Sequence, residues 1–342
     1  MKLTLAIAVF NEEKNIHYAL DSTIDWVDEV VAVDGGSTDK TIEILKGYGE
    51  KVRIIQADNP PMFHINKQKA IDAATGDWIL QLDADEEITA ELKEEICRLT
   101  GVGYLVSEKK QYEKVEEGKV DDGMIFISID RSEDVRNQVK VSYNGESVEK
   151  EAFNNVSDNG KLITDNYFAY QIPRKNFFLG RPLMKGGVYP DYTIRLYKKG
   201  TVYFPCKDVH ENVVPIENKV VGGRVQGVGE NKNWLGTIEN PMNHYSDPSF
   251  DRYLKRWKRY TTAEAKRVIE EARKLYNGNT QKLRLWRAIF VTKCFFFLAP
   301  YWFVKTYLRH KGFQDGWQGF VFHLMSAIRW WGIGYKVLSA KY

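Results

Sequence analysis

The stretch Trp78-Ile79-Leu80-Gln81-Leu82-Asp83-Ala84-Asp85-Glu86 decides the fold of this chain. A mostly apolar run of strand length ends in two carboxylates that are one residue apart. Because residues i and i+2 of a strand point to the same side, Asp83 and Asp85 can converge on one point at its end. Such oxygen ligands suit Mg²⁺ or Mn²⁺, which bind through one or two carboxylates together with substrate phosphates. The alternative is an acidic loop that caps a helix predicted over residues 86–99.

The composition describes a globular protein with a substantial core. The chain has 342 residues, of which 43% are apolar and 28% charged, enough for one large domain or two modest ones. Three scattered cysteines (Cys97, Cys206 and Cys294) argue against a disulfide framework or a zinc knuckle and favour a reducing cytosol. The apolar residues 1–10 lack a small-residue cleavage site, so we interpret them as a first strand rather than a signal peptide.

Charge is distributed very unevenly along the chain. Residues 252–342 hold 19 Lys or Arg against four Asp or Glu, a net charge of +15, within a total of +3. Residues 1–251 therefore carry −12. This asymmetry indicates two surfaces that meet different partners.

The first hundred residues alternate strand and helix patterns. The predicted strands are Leu3–Val9, Glu29–Val33, Val52–Gln56 and Trp78–Leu82, and the predicted helices are Glu13–Ser22, Lys40–Gly47 and Ile65–Ala74. Such alternation predicts right-handed βαβ units and a parallel sheet. Ligands of these sheets bind at the carboxyl ends of the strands. The polar residues at those ends are Asn11, Glu12, Asp34, Asp83 and Asp85.

The rest of the chain divides by composition into three segments. Residues 107–165 are charged and alternating, with Asn144-Gly145 typical of a hairpin turn, which predicts a β-rich insert. Residues 166–248 return to core character. Residues 249–342 are basic and aromatic, with helical spacing. Residues 1–106 and 166–248 are expected to form the two halves of one catalytic domain.

Several ordered motifs resemble those of a known enzyme family. They are Phe10-Asn11-Glu12-Glu13, Val33-Asp34-Gly35-Gly36-Ser37-Thr38-Asp39, Ala74-Thr75-Gly76-Asp77-Trp78 and Leu82-Asp83-Ala84-Asp85. Together they resemble family 2 glycosyltransferases of the GT-A fold, an α/β class with a Rossmann-like mixed sheet flanked by helices. Later motifs are similar to the bacterial lipopolysaccharide-core β-glucosyltransferase-like subgroup: Asn176-Phe177-Phe178-Leu179-Gly180-Arg181, Tyr189-Pro190-Asp191, Arg195-Leu196, Val209-His210-Glu211 and His244-Tyr245.

The resemblance covers roughly residues 1–106 and 166–342, with two departures. The insert at 107–165 has no counterpart in the family pattern. Gly35 stands where many relatives have a second acidic residue, so the pocket for the base is expected to differ.

The resemblance implies roles for the residues that follow the first strands. Asp85 would bind the metal directly, and Asp83 would bind ribose or share the metal. The nucleotide would be held at the first two strand ends by Phe10, Asn11, Glu12 and Asp34. Lys67 would contact the diphosphate or the base; the alternative for Lys67 is a solvated helix face.

The resemblance places the catalytic carboxylate later in the chain. Asp191 would be the general base that deprotonates the acceptor hydroxyl, and Arg195 would orient Asp191 or contact phosphate. The alternative is an ion pair between Asp191 and Arg195 that serves only as scaffold. His210 is a candidate third metal ligand, although a lone histidine is more often structural.

The C-terminal segment has the composition of membrane-surface helices. The apolar run Cys294–Val304 is about half the ~20 residues that a spanning helix needs. In the following segment, a narrow polar stripe comprises His323, Ser326, Arg329 and Lys336. With its tryptophans and basic residues, this pattern predicts helices that lie in an anionic membrane surface. The alternative is a buried hairpin that packs on the catalytic domain or dimerises.

These observations predict an inverting, metal-dependent glycosyltransferase that acts at the cytoplasmic, inner face of a membrane as a peripheral protein. It would move sugar from a UDP-sugar to a lipid-linked or glycan acceptor, with the basic helix Arg252–Lys274 facing the acceptor's phosphates. Two alternatives remain: a sugar nucleotidyltransferase and a non-catalytic membrane-bound scaffold. No nucleic-acid motif is present. A homo-oligomer stays open, as do the sugar and the choice between Mg²⁺ and Mn²⁺.

Overall fold

The computed structural model describes residues 1–102, 111–116, 119–130, 138–143, 146–147, 167–206, 212–216 and 234–340. The predicted metal ligand His210 and the predicted turn Asn144-Gly145 lie outside these described residues.

The strands of the described residues form three sheets. They are β1 (Leu3–Val9), β2 (Glu29–Asp34), β3 (Val52–Gln56), β4 (Trp78–Leu82), β5 (Glu86–Glu87), β6 (Gln111–Glu116), β7 (Lys119–Asp130), β8 (Gln138–Tyr143), β9 (Glu146–Ser147), β10 (Ala169–Phe178), β11 (Arg181–Pro182), β12 (Asp191–Lys198), β13 (Val202–Tyr203), β14 (Val214–Pro215), β15 (Leu235–Thr237) and β16 (Met242–Asp247). Strands β6–β9 make an antiparallel four-stranded sheet, so the insert is β-rich as predicted. Strands β13 and β14 pair with each other.

The helices are α1 (Ile16–Asp21), α2 (Thr41–Gly47), α3 (His64–Ala73), α4 (Ala90–Thr100), α5 (Phe250–Leu275), α6 (Thr280–Lys293), α7 (Ala299–Phe303) and α8 (Gly316–Ser339). Wide π-helical turns join α6 to α7 and extend α7, so that residues 280–309 form one continuous helical run. The C-terminal region is therefore helical, as its spacing predicted.

The main sheet is mixed, and its order is β3-β2-β1-β4-β12-β10-β16-β5, with β11 and β15 also paired to β10. The first four strands run parallel. Strand β12 then pairs antiparallel with β4, with Leu196 opposite Leu80. Because of this reversal, the start of β12 lies at the same edge as the ends of β1 and β4. One sheet edge thus collects residues from both halves of the chain.

Apolar runs predicted the first strands well, whereas helix boundaries were predicted less well; α1, for example, begins at Ile16 rather than at Glu13. Strands β1, β3 and β4 have the predicted bounds. The helix expected over residues 86–99 begins instead at Ala90, because the Thr89 hydroxyl caps it by accepting from Leu92 N at 3.2 Å. Glu86 belongs to β5 and pairs with His244 on β16. Glu86 therefore lies inside the sheet rather than in a helix.

The core lies on both faces of the sheet. Neighbouring residues of one strand enter opposite layers: on β1, Leu5 packs in one cluster and Ala6 in the other, and on β4 Leu80 and Ile79 do the same. All four side chains are fully buried. Burial on both faces is typical of parallel strands covered by helices, and each large apolar side chain contributes about 1.5–3 kcal/mol.

The polar stripe of α8 faces the protein, not the surface. His323 is buried, and Lys336 Nζ donates to the Lys258 carbonyl at 3.1 Å and to the Thr262 hydroxyl at 2.9 Å, both on α5. The exposed face carries Trp317, Phe320, Leu324, Trp331, Tyr335 and Leu338. The stripe therefore packs on α5, which supplies its hydrogen-bond acceptors, and contact of these helices with a membrane stays a prediction.

The helical run Thr280–Arg309 is longer than its sequence indicated. It has 30 residues and a mean hydropathy of 1.4 in its most apolar window, of which 11% is buried. By length and composition alone it is, among the described residues, the one helix that could cross a membrane. The prediction had considered only the uninterrupted run Cys294–Val304, whereas the helix continues past the single charge of Lys293.

The tip of the C-terminal helical hairpin holds the loop that precedes β12. The Asp315 carboxylate accepts from Met184 N at 3.1 Å and from Lys185 N at 2.9 Å. Gly186 N donates to the His310 carbonyl at 2.9 Å. Gly186 has a φ of +71°, and a Cβ there would lie 2.0 Å from His323 Cε1. Only glycine fits this contact between loop and hairpin.

Candidate active site

An open cleft of about 950 Å³ lies where β1 and β4 end and β12 begins. Six of the residues selected from the sequence line it: Phe10, Glu12, Lys67, Asp83, Asp85 and Asp191. The fold therefore brings together both strand-end acidic residues and the carboxylate from the distant motif. The other predicted residues do not line the cleft but support the residues and loops around it; they are Asn11, Asp34 and Arg195.

Asn11 and Asp34 shape the backbone beside the cleft. Asp34 is fully buried, and its carboxylate accepts from Gly36 N at 2.9 Å and Ser37 N at 3.0 Å. Asn11 Oδ1 accepts from Thr38 N at 2.8 Å. These bonds fix the loop after β2 against the loop after β1.

Glu12 is held at the edge of the cleft with an altered acidity. Burial raises the pKa of Glu12, although the side-chain amide of Asn15 donates to it at 2.6 Å and opposes the rise. Glu12 therefore takes up a proton at a higher pH than an exposed glutamate does.

Asp83 is held between two buried cations. Lys67 Nζ lies 2.5 Å from its Oδ1, and Arg195 Nη2 lies 2.7 Å from its Oδ2. Burial alone would raise the pKa of Asp83, but Arg195 and Lys67 outweigh it and hold the pKa well below its usual range. Lys67 is itself buried, which lowers its pKa. The alternative of a solvated Lys67 is therefore wrong.

Arg195 lies beneath the cleft rather than beside Asp191. Its guanidinium donates to Gln81 Oε1 at 2.5 Å and to Glu86 Oε1 at 2.7 Å, in addition to Asp83. Burial would raise the pKa of Glu86, but Arg195 holds it low. The role of Glu86 could not be predicted from the sequence, because the residue with which it pairs, Arg195, is distant along the chain.

The partner of Asp191 is Arg174, not Arg195. Arg174 stands opposite Asp191 in the antiparallel register of β10 and β12, with Nη2 at 2.7 Å from Oδ2. Residues four apart on one strand are separated by about 13 Å, so Arg195 could not serve both places. Asn176 Nδ2 also donates to Oδ2 at 3.0 Å. Among the described residues nothing donates to Oδ1 of this half-exposed carboxylate.

Asn176 also links Asp191 to a histidine. Its Oδ1 lies 2.5 Å from His244 Nδ1, and because its Nδ2 faces Asp191, we assign the Nδ1 proton to this bond. The other ring nitrogen, Nε2, lies 3.6 Å from Asp85 Oδ1. Arg252 Nη2 reaches Asp85 Oδ2 at 3.0 Å. A chain of contacts thus joins Asp191 to Asp85 across the cleft.

Helix α5 supplies one wall of the cleft. Four cations line the cleft at positions i, i+3, i+4 and i+7: Arg252, Lys255, Arg256 and Arg259. Arg256 pairs with Asp247, whose pKa is raised by burial. The spacing of these cations in the sequence indicated one face of a helix. It could not show that this face borders the cleft.

The family comparison adds to this geometry. Residues 4–100 match the model described as "Glycosyl transferase family 2". These residues therefore have the sequence pattern of family 2 glycosyltransferases. The matched segment contains β1–β4 together with Glu12, Asp34, Lys67, Asp83 and Asp85. The mixed sheet with helices on both faces agrees with the α/β GT-A class predicted from the sequence.

Curated relatives extend the similarity over the whole glycosyltransferase. An uncharacterized glycosyltransferase of Rickettsia typhi is 24% identical over 324 residues, which cover 94% of this chain and 81% of the relative. The glycosyltransferase SunS of Bacillus subtilis is 34% identical over 100 residues, or 29% of this chain and 24% of SunS. These matches favour a glycosyltransferase over the sugar nucleotidyltransferase and the non-catalytic scaffold. Membership of the lipopolysaccharide-core subgroup stays a prediction.

Solved structures give weaker similarities. S. aureus TarS 1–349 is 13% identical with a TM-score of 0.35, covering 96% of this chain and 89% of TarS. Mycobacterium tuberculosis glucosyl-3-phosphoglycerate synthase, solved with Mn²⁺ and UDP-glucose, is 24% identical with a TM-score of 0.25, covering 32% of this chain and 41% of the synthase. TM-scores this low establish nothing about the ligands of this glycosyltransferase.

Proposed function

We propose that this glycosyltransferase is inverting and metal-dependent, and that it transfers sugar from a UDP donor to a lipid-linked or glycan acceptor. The observation that carries the proposal is the position of Asp191 in the same cleft as Asp85, the two being joined through Asn176 and His244. A base and a cation site on one cleft are what sugar transfer from a diphosphate requires.

The side chains around Asp85 fit a divalent cation. Among the described residues no three acidic, histidine or cysteine side chains form a ready-made cage. His244 Nε2 nevertheless lies 3.6 Å from Asp85 Oδ1, and the contact of Nδ1 with Asn176 orients the ring as metal-bound histidines are oriented. Asp83 fits less well because both of its oxygens are in ion pairs. Asp85 and His244 would therefore hold Mg²⁺ or Mn²⁺.

When bound, such a cation supplies Lewis-acid stabilisation of the leaving diphosphate. The chain's own residues supply the rest. Arg174 and Asn176 fix Oδ2 of Asp191, which leaves Oδ1 to accept the proton of the acceptor hydroxyl. Positioned proton transfer of this kind is typically worth ~10²–10⁴-fold in rate. Attack from the face opposite the diphosphate would invert the anomeric centre.

The first two strand ends would receive the nucleotide. Phe10 is exposed at the cleft, Glu12 lines it, and the loops built by Asn11 and Asp34 border it. Asp34 and Asn11 would act mainly by holding backbone in place, since their oxygens already accept hydrogen bonds from other residues of the loop.

The proposed site of action is the inner membrane face, with the C-terminal helices lying in the surface. In its support, the run Thr280–Arg309 exposes Phe296, Phe297 and Tyr301, and α8 exposes Trp317 and Tyr335. Both ends of this hairpin are tied to the same body of the protein. Its tip bonds the loop before β12, and α8 bonds α5. Because both ends of the hairpin are bonded to the same part of the protein, we propose that its helices lie in the membrane surface rather than span the membrane.

A binding panel tests the proposed function. Thermal unfolding of the full chain would be followed with UDP and with different UDP-sugars, each with Mn²⁺ or with EDTA. Because a ligand that binds the folded state stabilises it by RT ln(1 + [L]/Kd), we expect metal-dependent shifts that single out one donor. Equal shifts with EDTA would overturn the metal site. If no UDP-sugar raised the melting temperature, the proposal of a UDP-sugar donor would be overturned.

A further inference from the structure

The cleft-facing side of α5 carries more positive charge than its own contacts neutralise. Of its four cations, Arg252 pairs with Asp85 and Arg256 with the buried Asp247. Lys255 pairs with Asp251 of the same helix, 2.7 Å away, but both side chains are about three-quarters exposed. Pairs this exposed contribute little.

Arg259 is the least neutralised of the four. Among the described residues no carboxylate pairs with it, and its guanidinium lies 5.4 Å from the centre of the Tyr260 ring. Lys255 and Arg259 are one helical turn apart and both line the cleft. The two side chains can therefore close on one anionic group.

The positive surface continues past the cleft. A second, shallower cavity of about 470 Å³ is lined by Lys255, Lys258, Arg259, Thr262, Ala263 and Lys266. We call the cations from Arg252 to Lys266 along this face the basic track. At 1.5 Å per residue it extends about 21 Å, far longer than one donor diphosphate requires. The track adjoins α8 at Thr262, whose hydroxyl accepts from Lys336 Nζ of α8 at 2.9 Å.

We propose that the basic track binds the phosphate or diphosphate of a lipid-linked acceptor, with Lys255 and Arg259 as its main contacts. This inference rests on the proposed function and names the chemistry of its acceptor. The positive charge of the track favours an anionic ligand. The position of the track favours the acceptor, rather than the donor, as the molecule that carries this anion. One end of the track opens at Asp85, and its side adjoins the helix whose outer face is apolar. A phosphate at the end of a lipid would meet both.

The test uses the full chain and phosphatidylcholine vesicles of three kinds: undoped, doped with a polyprenyl diphosphate, and doped with phosphatidylglycerol to equal charge. The variant is Lys255→Gln/Arg259→Gln, and Lys274→Gln, an exposed cation at the far end of α5, is the matched control. UDP binding in the presence of Mn²⁺ is measured in solution on the same proteins.

We expect the wild type to prefer the polyprenyl diphosphate vesicles, and the double variant to bind them about tenfold more weakly or worse, as loss of charged hydrogen bonds implies. Its UDP affinity and that of Lys274→Gln should match the wild type. An equal loss on phosphatidylglycerol vesicles would overturn the inference in favour of headgroup binding. A loss of UDP affinity in the double variant would overturn it in favour of the donor. Wild-type protein that binds the doped vesicles but not UDP would contradict the proposed function alone.

Discussion

His244 Nε2 lies 3.6 Å from Asp85 Oδ1, and the opposite ring nitrogen is held by Asn176. In the sequence Asp85 was predicted as a metal ligand, whereas His244 stood only in a motif 159 positions later in the chain. The sheet brings them together since β16, which carries His244, pairs with β5 directly after Asp85. The pair presents one carboxylate oxygen and one imidazole nitrogen to the cleft.

Metal affinity should depend on this pair. We expect Asp85→Asn and His244→Gln each to weaken Mn²⁺ binding about 10–100-fold, as changes at and around metal ligands do. Free Mn²⁺ measured by electron paramagnetic resonance in the absence of nucleotide gives the affinity. His17→Gln, a histidine outside the cleft, is the control. Unchanged affinity in His244→Gln would remove the ring from the cation site.

Asp191→Asn should abolish proton acceptance without disturbing donor binding. The amide keeps an oxygen for Arg174 and Asn176, so the local geometry survives. We expect turnover to fall by ~10²–10⁴-fold. The UDP-induced rise in melting temperature should match the wild type. Full turnover in this variant would mean that another group takes the proton.

Arg195→Met should destabilise the fold strongly. The substitution leaves the buried Glu86 and the cleft-lining Asp83 without their shared guanidinium. Breaking a buried pair in this way costs about 3–5 kcal/mol. Urea unfolding measures the loss. The matched control is Arg267→Met on α5, whose pairs with Glu264 and Glu271 are exposed and contribute little to stability. Equal losses in the two variants would contradict the buried role.

Glu29 should make stability depend on acid pH. Burial alone would raise its pKa, but hydrogen bonds from Arg53 and Thr75 lower the pKa to about 2 from an ordinary value of 4.5. A carboxyl with a lowered folded-state pKa stabilises fully above the unfolded value, and the contribution is lost as pH falls through the folded value. We expect Glu29→Gln to cost about 2 kcal/mol at pH 7, discounted for partial exposure.

Urea unfolding of wild type and Glu29→Gln across this pH range provides the check. The difference between them should be constant above about pH 4.5 and shrink as the pH falls towards 2. A difference that persists unchanged at the lowest pH would show that packing, not charge, is what the substitution removes.

Gly186→Ala should separate backbone strain from steric conflict. At Gly186 a Cβ would lie 2.0 Å from His323 Cε1, whereas at Gly187, with a similar φ of +77°, no atom lies within 4 Å. Gly187→Ala should cost the strain alone, about 1–2 kcal/mol, and Gly186→Ala clearly more. Adding His323→Ala should recover part of the excess, which unfolding of the double variant measures. Equal costs at both glycines would contradict the contact.

The sequence predicted what depends on local pattern. The bounds of β1, β3 and β4 followed from apolar runs, and the carboxyl-end rule selected Glu12, Asp83 and Asp85 for the cleft. The pairing of Asp191 with Arg174 was missed because it arises from antiparallel register between strands, which spacing along one strand does not contain. Periodicity likewise showed that α8 has a polar stripe. It could not show that α5 lies against that stripe.

The hydrogen bonds between the C-terminal hairpin and the loop of Met184, Lys185 and Gly186 make the proposed active site depend on the C-terminal region. Three backbone amides a few residues before Asp191 find their acceptors at Asp315 and His310. We expect that a version shortened to end after α5 would lose those acceptors and hold the proposed base, Asp191, less firmly in place. The C-terminal hairpin therefore supports the loop that leads into the proposed active site. We expect that removing the hairpin to simplify purification would lower the turnover of the enzyme.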